Sequence, residues 1–108
     1  MNSNQALERI SAAVSENDVV LFMKGTPQAP QCGFSAVVAK TLTHLGVPFT
    51  PMNVLEDDSL RQAVKEYSSW PTIPQLYVKG EFVGGCDIVR EMHQNGELAH
   101  LMKDKGLV

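Results

Sequence analysis

A lone thiol, Cys32, sits in the run Lys24-Gly25-Thr26-Pro27-Gln28-Ala29-Pro30-Gln31-Cys32-Gly33-Phe34-Ser35, and Ser35 stands three residues on, where a second thiol would make a dithiol. In a dithiol redox protein one cysteine attacks a disulfide and the second resolves the mixed disulfide. A serine hydroxyl cannot resolve a disulfide, so this chain is barred from that cycle and needs a thiol from outside. The flanking elements place Cys32. Val19-Val20-Leu21-Phe22-Met23 is a short apolar run bounded by Asn17-Asp18 and Gly25, the pattern of a buried strand. Pro27 and Pro30 are expected to keep the next residues extended. From Phe34 the pattern turns helical, with Ala36, Val37, Ala39 and Leu42, and Gly46 with Val47-Pro48 supplies a stop.

Cys32 therefore falls at a helix N-terminus, where unpaired N–H groups and the positive end of the helix dipole favour a thiolate. These lower the thiol pKa from its free value of about 8.5, and Lys24 adds to the effect. A buried structural cysteine is the other reading. A Pro/Gly-rich helix entrance suits it poorly.

At 108 residues the chain has room for one core and one domain, spanning 1–108. Its 44% hydrophobic and 19% charged content is that of a globular protein, and a net charge of -3 argues against general nucleic-acid binding. No apolar run approaches the roughly 20 residues that span a bilayer. The first ten residues lack the marks of a secretory signal or an Arg-rich transit peptide, so a cytoplasmic protein is expected. In a reducing compartment, Cys32 and Cys86 are expected to be reactive or metal-binding and not a structural staple.

Leu7, Ile10, Ala13 and Val14 fall at helical spacing and give an opening helix that ends near Asn17-Asp18. After the helix from about 33 to 45, Phe49, Met52 and Val54 lie in a second strand. Asp58 or Ser59 then caps a helix carrying Leu60, Val64 and Tyr67 on one face. Gln75-Leu76-Tyr77-Val78 and Glu81-Phe82-Val83, joined through Lys79-Gly80, form an antiparallel hairpin. Asp87 opens a helix with Ile88, Val89 and Met92 buried, Asn95-Gly96 breaks it, and Leu98, Leu101 and Met102 continue in a last helix. The order α-β-α-β-α-β-β-α-α implies an α/β domain with a mixed sheet and helices on both faces.

Two further motifs accompany the cysteine run. Trp70-Pro71-Thr72-Ile73-Pro74-Gln75 reads, on spacing alone, as a rigid turn before a strand with Trp70 in the core. Gly84-Gly85-Cys86-Asp87 opens a helix whose N–H groups can hold a carboxylate. His44, His93 and His100 show no metal-ligand spacing with a cysteine, and the five methionines read as core filler.

Taken together, in order and at these separations, the three motifs resemble a single-domain monothiol glutaredoxin over nearly the whole chain. The resemblance implies a thioredoxin-like fold, a four-stranded mixed sheet flanked by helices, with Cys32 as the reactive thiol. It implies a cis peptide before Pro74, which would turn the backbone of Ile73 outward beside the thiol to pair with an extended peptide. Glutathione is the implied peptide and outside thiol. Thr72, Ile73 and Pro74 form one wall of its site, Gly85, Cys86 and Asp87 take its γ-glutamyl end, and Lys24 and Arg61 pair with its glycyl carboxylate.

The family's cluster chemistry implies a [2Fe-2S] cluster as well. All-thiolate ligation needs four terminal sulfurs, and two Cys32 with two glutathiones supply them in a homodimer. Apo iron-sulfur client proteins are the implied recipients, and a BolA-like protein is an implied alternative partner. The rival activity is glutathione-dependent deglutathionylation through Cys32, which only Ser35 and the family's five-residue insertion before the cysteine separate from the carrier reading. Cys86 has three readings: a substitute ligand, a disulfide partner for Cys32 if the α-carbons lie within about 7 Å, or a small residue lining the glutathione site. The last is favoured, with its backbone N–H mattering more than its sulfur.

Overall fold

The five residues of the first strand set the architecture, because all of them are buried and their side chains alternate between two faces. Val19, Leu21 and Met23 enter one core, and Val20 and Phe22 enter the other. A strand covered on both sides reads as a continuous apolar run and not as an alternation, which is how it stands in the sequence. The computed structural model describes residues 1–108.

In chain order the elements are α1 (Ser3–Glu16), β1 (Val19–Met23), α2 (Gly33–Leu45), β2 (Thr50–Asn53) and α3 (Asp58–Ser68). There follow β3 (Gln75–Val78), β4 (Glu81–Gly84), α4 (Cys86–Gln94) and α5 (Glu97–Asp104). The order of elements is the one expected. The sheet runs β2-β1-β3-β4, with β1 parallel to β2 and β3 antiparallel to both β1 and β4. Val38, Ala39 and Leu42 of α2, Val89 of α4, and Leu98 and Met102 of α5 cover one face. Ala6, Ile10 and Val14 of α1 with Leu60, Ala63 and Val64 of α3 cover the other.

Several boundaries differ from the expectation. Phe49 and Val54 flank β2 instead of belonging to it. The cap of α3 is Asp57, one residue before Asp58 and two before Ser59; its Oδ1 accepts from the Ser59 N–H at 2.7 Å, a bond that also holds its carboxyl below the usual range. Asp57 has extended backbone, as a capping residue must, while Asp58 is already helical. Likewise α4 begins at Cys86 with Gly85 as its cap, so Asp87 lies inside the first turn.

The segment after β1 is bent and not extended. The Ala29 N–H donates to the Thr26 carbonyl at 3.1 Å, which makes Thr26 to Ala29 a turn with Pro27 at its second position, where the fixed proline φ belongs. Gln31 N–H donates to Lys24 O at 2.9 Å and closes the loop under Cys32. Asn53 ties this loop to the neighbouring strand, its Oδ1 accepting from the N–H groups of Gly25 and Leu55 at 3.0 Å each.

The step from β4 to α4 depends on Gly84, whose φ is +155° and whose added Cβ would meet the Ile88 side chain at 2.8 Å. Gly84→Ala is therefore expected to lower stability by about 1–3 kcal/mol through overpacking. Urea unfolding checks this, and an unchanged midpoint would show that Ile88 moves aside freely.

Candidate functional site

The ends of β1 and β3, the entrance of α2 and the entrance of α4 meet on one side of the sheet. Cys32 is the residue before the first turn of α2 and is partly exposed, with no side-chain bond capping the helix. Its thiol pKa is lowered. The Ser35 backbone N–H is the main cause, working against partial desolvation, and the Phe34 N–H, the Lys24 charge and the Ser35 hydroxyl add to it. A thiol with a lowered pKa at the mouth of a helix is what the spacing predicts, and Cys32 is one.

Ser35 itself is fully buried, and its Oγ accepts from the Lys24 N–H at 3.1 Å. It joins the end of β1 to the first turn of α2 while leaving its own proton free to point at the sulfur. Spacing alone marks Ser35 only as a missing thiol. Its burial follows from the tertiary packing and has no local signal.

Beside this thiol lies an open cleft of about 190 Å³ lined by Phe34, Trp70, Thr72, Ile73, Pro74, Gly85, Cys86, Asp87 and Ile88. Six of the nine residues expected to bind or react belong to it: Thr72, Ile73, Pro74, Gly85, Cys86 and Asp87. The Ile73-Pro74 peptide is cis, as the resemblance implied. The two walls approach closely, since a Cβ on Gly85 would lie 3.3 Å from both the Pro74 carbonyl oxygen and the Trp70 indole nitrogen. A side chain here would close the space between them. Asp87 is exposed and its carboxylate makes no internal hydrogen bond or ion pair, so it is not the helix cap.

Lys24 and Arg61 do not line the cleft. Lys24 lies next to the thiol, close enough to favour its ionisation. Arg61 lies in the first turn of α3, half-buried, with its Nε buried and unpartnered. Trp70 is not a core residue but 37% exposed; its ring packs against Phe82 with centroids 5.8 Å apart. Phe34, at 59%, and Val37 are also exposed near the thiol. Cys86 is a free, buried thiol whose pKa is raised, chiefly by burial and further by Asp87 and by Cys32 itself.

A glutaredoxin family profile matches residues 19–83. The chain is 55% identical over 105 residues to a probable monothiol glutaredoxin 2 of Rickettsia typhi, covering 97% of this chain and 95% of that one. The chain belongs to the monothiol glutaredoxin family. Among solved structures, this glutaredoxin is similar to reduced poplar apo GrxS14 (TM-score 0.82, 50% identity, 96% of each chain covered). It is also similar to a buckwheat glutaredoxin in complex with glutathione (TM-score 0.85, 26% identity, 98% and 94% covered). The thioredoxin-like fold expected from the sequence is therefore the fold of the protein.

The two thiols of this glutaredoxin should separate in a pH-dependent alkylation. A lowered pKa leaves more thiolate at neutral pH, so Cys32 should react with iodoacetamide well before Cys86 and with a midpoint below the free value of about 8.5. Ser35→Ala should move that midpoint upward while the helix N–H groups keep it from rising fully. Mass-spectrometric mapping across pH checks this; a Cys32 midpoint at or above the free value would contradict it.

Proposed function

We propose that this glutaredoxin carries a [2Fe-2S] cluster as cargo, held between two copies of the chain by two Cys32 thiolates and two glutathiones, and passes it to apo iron-sulfur proteins. The observation that supports this most is Cys32 itself: one partly exposed thiol favoured as thiolate, with buried Ser35 in the second thiol's place and an open cleft alongside. Each iron needs two terminal sulfurs. One protomer offers one, because Cys86 is buried, so a bound glutathione completes each pair.

In this reading the backbone of Thr72 and Ile73 and the Pro74 turn hold the extended tripeptide. The Gly85 and Cys86 N–H groups at the start of α4 take the γ-glutamyl carboxylate, and the unpaired Asp87 takes its ammonium group. Lys24 and Arg61, beyond the cleft, take the glycyl carboxylate. The exposed Phe34, Val37 and Trp70 suit coverage by a second protomer. Half the ligands are diffusible and the site lies at a separable interface, so release of the cargo requires no unfolding. Free Cys32 and Cys86 suit a reducing compartment such as the cytoplasm.

The lowered pKa of Cys32 also supports a second activity. Its thiolate would attack the glutathione sulfur of a protein–glutathione mixed disulfide and release the protein thiolate. A second glutathione thiolate would then attack the Cys32–glutathione disulfide, freeing Cys32 and giving oxidised glutathione.

Anaerobic reconstitution with iron, sulfide and glutathione, followed by absorption and circular dichroism, tests the carrier reading. A [2Fe-2S] spectrum with about two irons per dimer is expected, lost in Cys32→Ser and lost when glutathione is omitted. A cluster that forms equally well without glutathione would overturn the bridging role. No cluster at all, with deglutathionylation at roughly 1 s⁻¹ or faster, would favour the enzyme.

A further inference from the structure

The segment between α3 and β3 forms one wall of the cleft, yet residues 70–74 take part in no backbone–backbone hydrogen bond. Side chains hold it instead. Ser68 Oγ accepts from the Trp70 N–H at 3.1 Å, at the segment's start. The rest depends on Gln75, the first residue of β3, which is fully buried. Its Nε2 donates to the Trp70 carbonyl and to the Thr72 carbonyl, each at 3.1 Å.

These two bonds use both N–H donors of the amide, the number a carboxamide has to give. The two carbonyls they hold belong to Trp70 and Thr72, both cleft-lining residues. The amide's other end makes no use of its burial, because Oε1 is buried without a partner. A residue present only to fill space would be apolar here, since an unsatisfied buried acceptor is costly. Gln75 keeps that cost in exchange for two donors directed at one loop.

We propose that Gln75 is a positioning residue that fixes the Trp70–Pro74 wall and thereby sets glutathione affinity, without acting on the thiol. The affinity part rests on the glutathione reading above. Ile73 lies between the tethered Thr72 and the β3 strand, so its backbone groups reach a ligand in one fixed orientation. Methionine matches glutamine in length but donates nothing, and an ionised glutamate would set a carboxylate against two carbonyls.

The test uses the full chain and S-methylglutathione, which cannot exchange disulfides. In Gln75→Met and Gln75→Glu, affinity followed by NMR titration should fall roughly tenfold for the loss of two hydrogen bonds. Backbone order parameters at Thr72 and Ile73 should fall, while iodoacetamide alkylation of Cys32 stays within about twofold of wild type. Folded variants with unchanged affinity and unchanged order parameters would reduce Gln75 to core filling and overturn the proposal. An equal loss of Cys32 reactivity would also overturn it, by showing a disturbance of the whole site. If the wild type itself bound no S-methylglutathione, the glutathione reading would fall, and the order parameters at Thr72 and Ile73 would still decide whether Gln75 holds the wall. In the wild type alone, the Gln75 side-chain amide protons should be protected from exchange; rapid exchange would contradict the tether even if neither variant folded.

Discussion

The site depends on the seating of one sulfur at the start of α2. Cys32 ends a closed loop and begins a helix, so its thiolate meets N–H groups that no carbonyl has claimed. Ser35 fixes that arrangement from below, receiving the Lys24 N–H on a buried hydroxyl and so binding the end of β1 to the first turn of the helix. The serine is a structural joint as much as a missing thiol. It keeps the helix entrance in place while offering no sulfur that could attack the adduct formed on Cys32.

The two cysteines are driven apart in their ionisation by their surroundings. Helix N–H groups and Lys24 favour charge on Cys32, whereas burial, Asp87 and the Cys32 charge disfavour it on Cys86. Of the two thiols in one protomer, Cys32 is the one favoured as thiolate, and it lies beside a cleft. Both proposed roles call for an external thiol for that reason, to complete an iron's coordination in one and to resolve a mixed disulfide in the other.

Much of this was legible in the chain. The apolar run Val19–Met23 gave away a doubly covered strand, and Gly46 marked the end of α2, where its φ is +74°. Six cleft residues were reached through the family resemblance of two short motifs, residues 70–75 and 84–87, which the fold brings to one cleft. What remained hidden was cooperative. Adjacent Asp57, Asp58 and Ser59 all suit a helix cap, and only the tertiary path of the chain selects Asp57. The loop after β1 closes through Asn53 on another strand, a bond of long sequence separation that no local pattern announces. Gln75 looked like a polar start to a strand, because its tethers run backward to carbonyls whose positions depend on the turn before it.

Native mass spectrometry of the reconstituted, anaerobic protein addresses the central claim most directly, because it counts every ligand at once. The predicted species is two chains, one [2Fe-2S] cluster and two glutathiones, dissociating to monomers when the cluster is removed by a chelator. A cluster-bearing species of the same two chains without glutathione would contradict the account, since some other group would then complete the sulfur count that Cys32 leaves half filled.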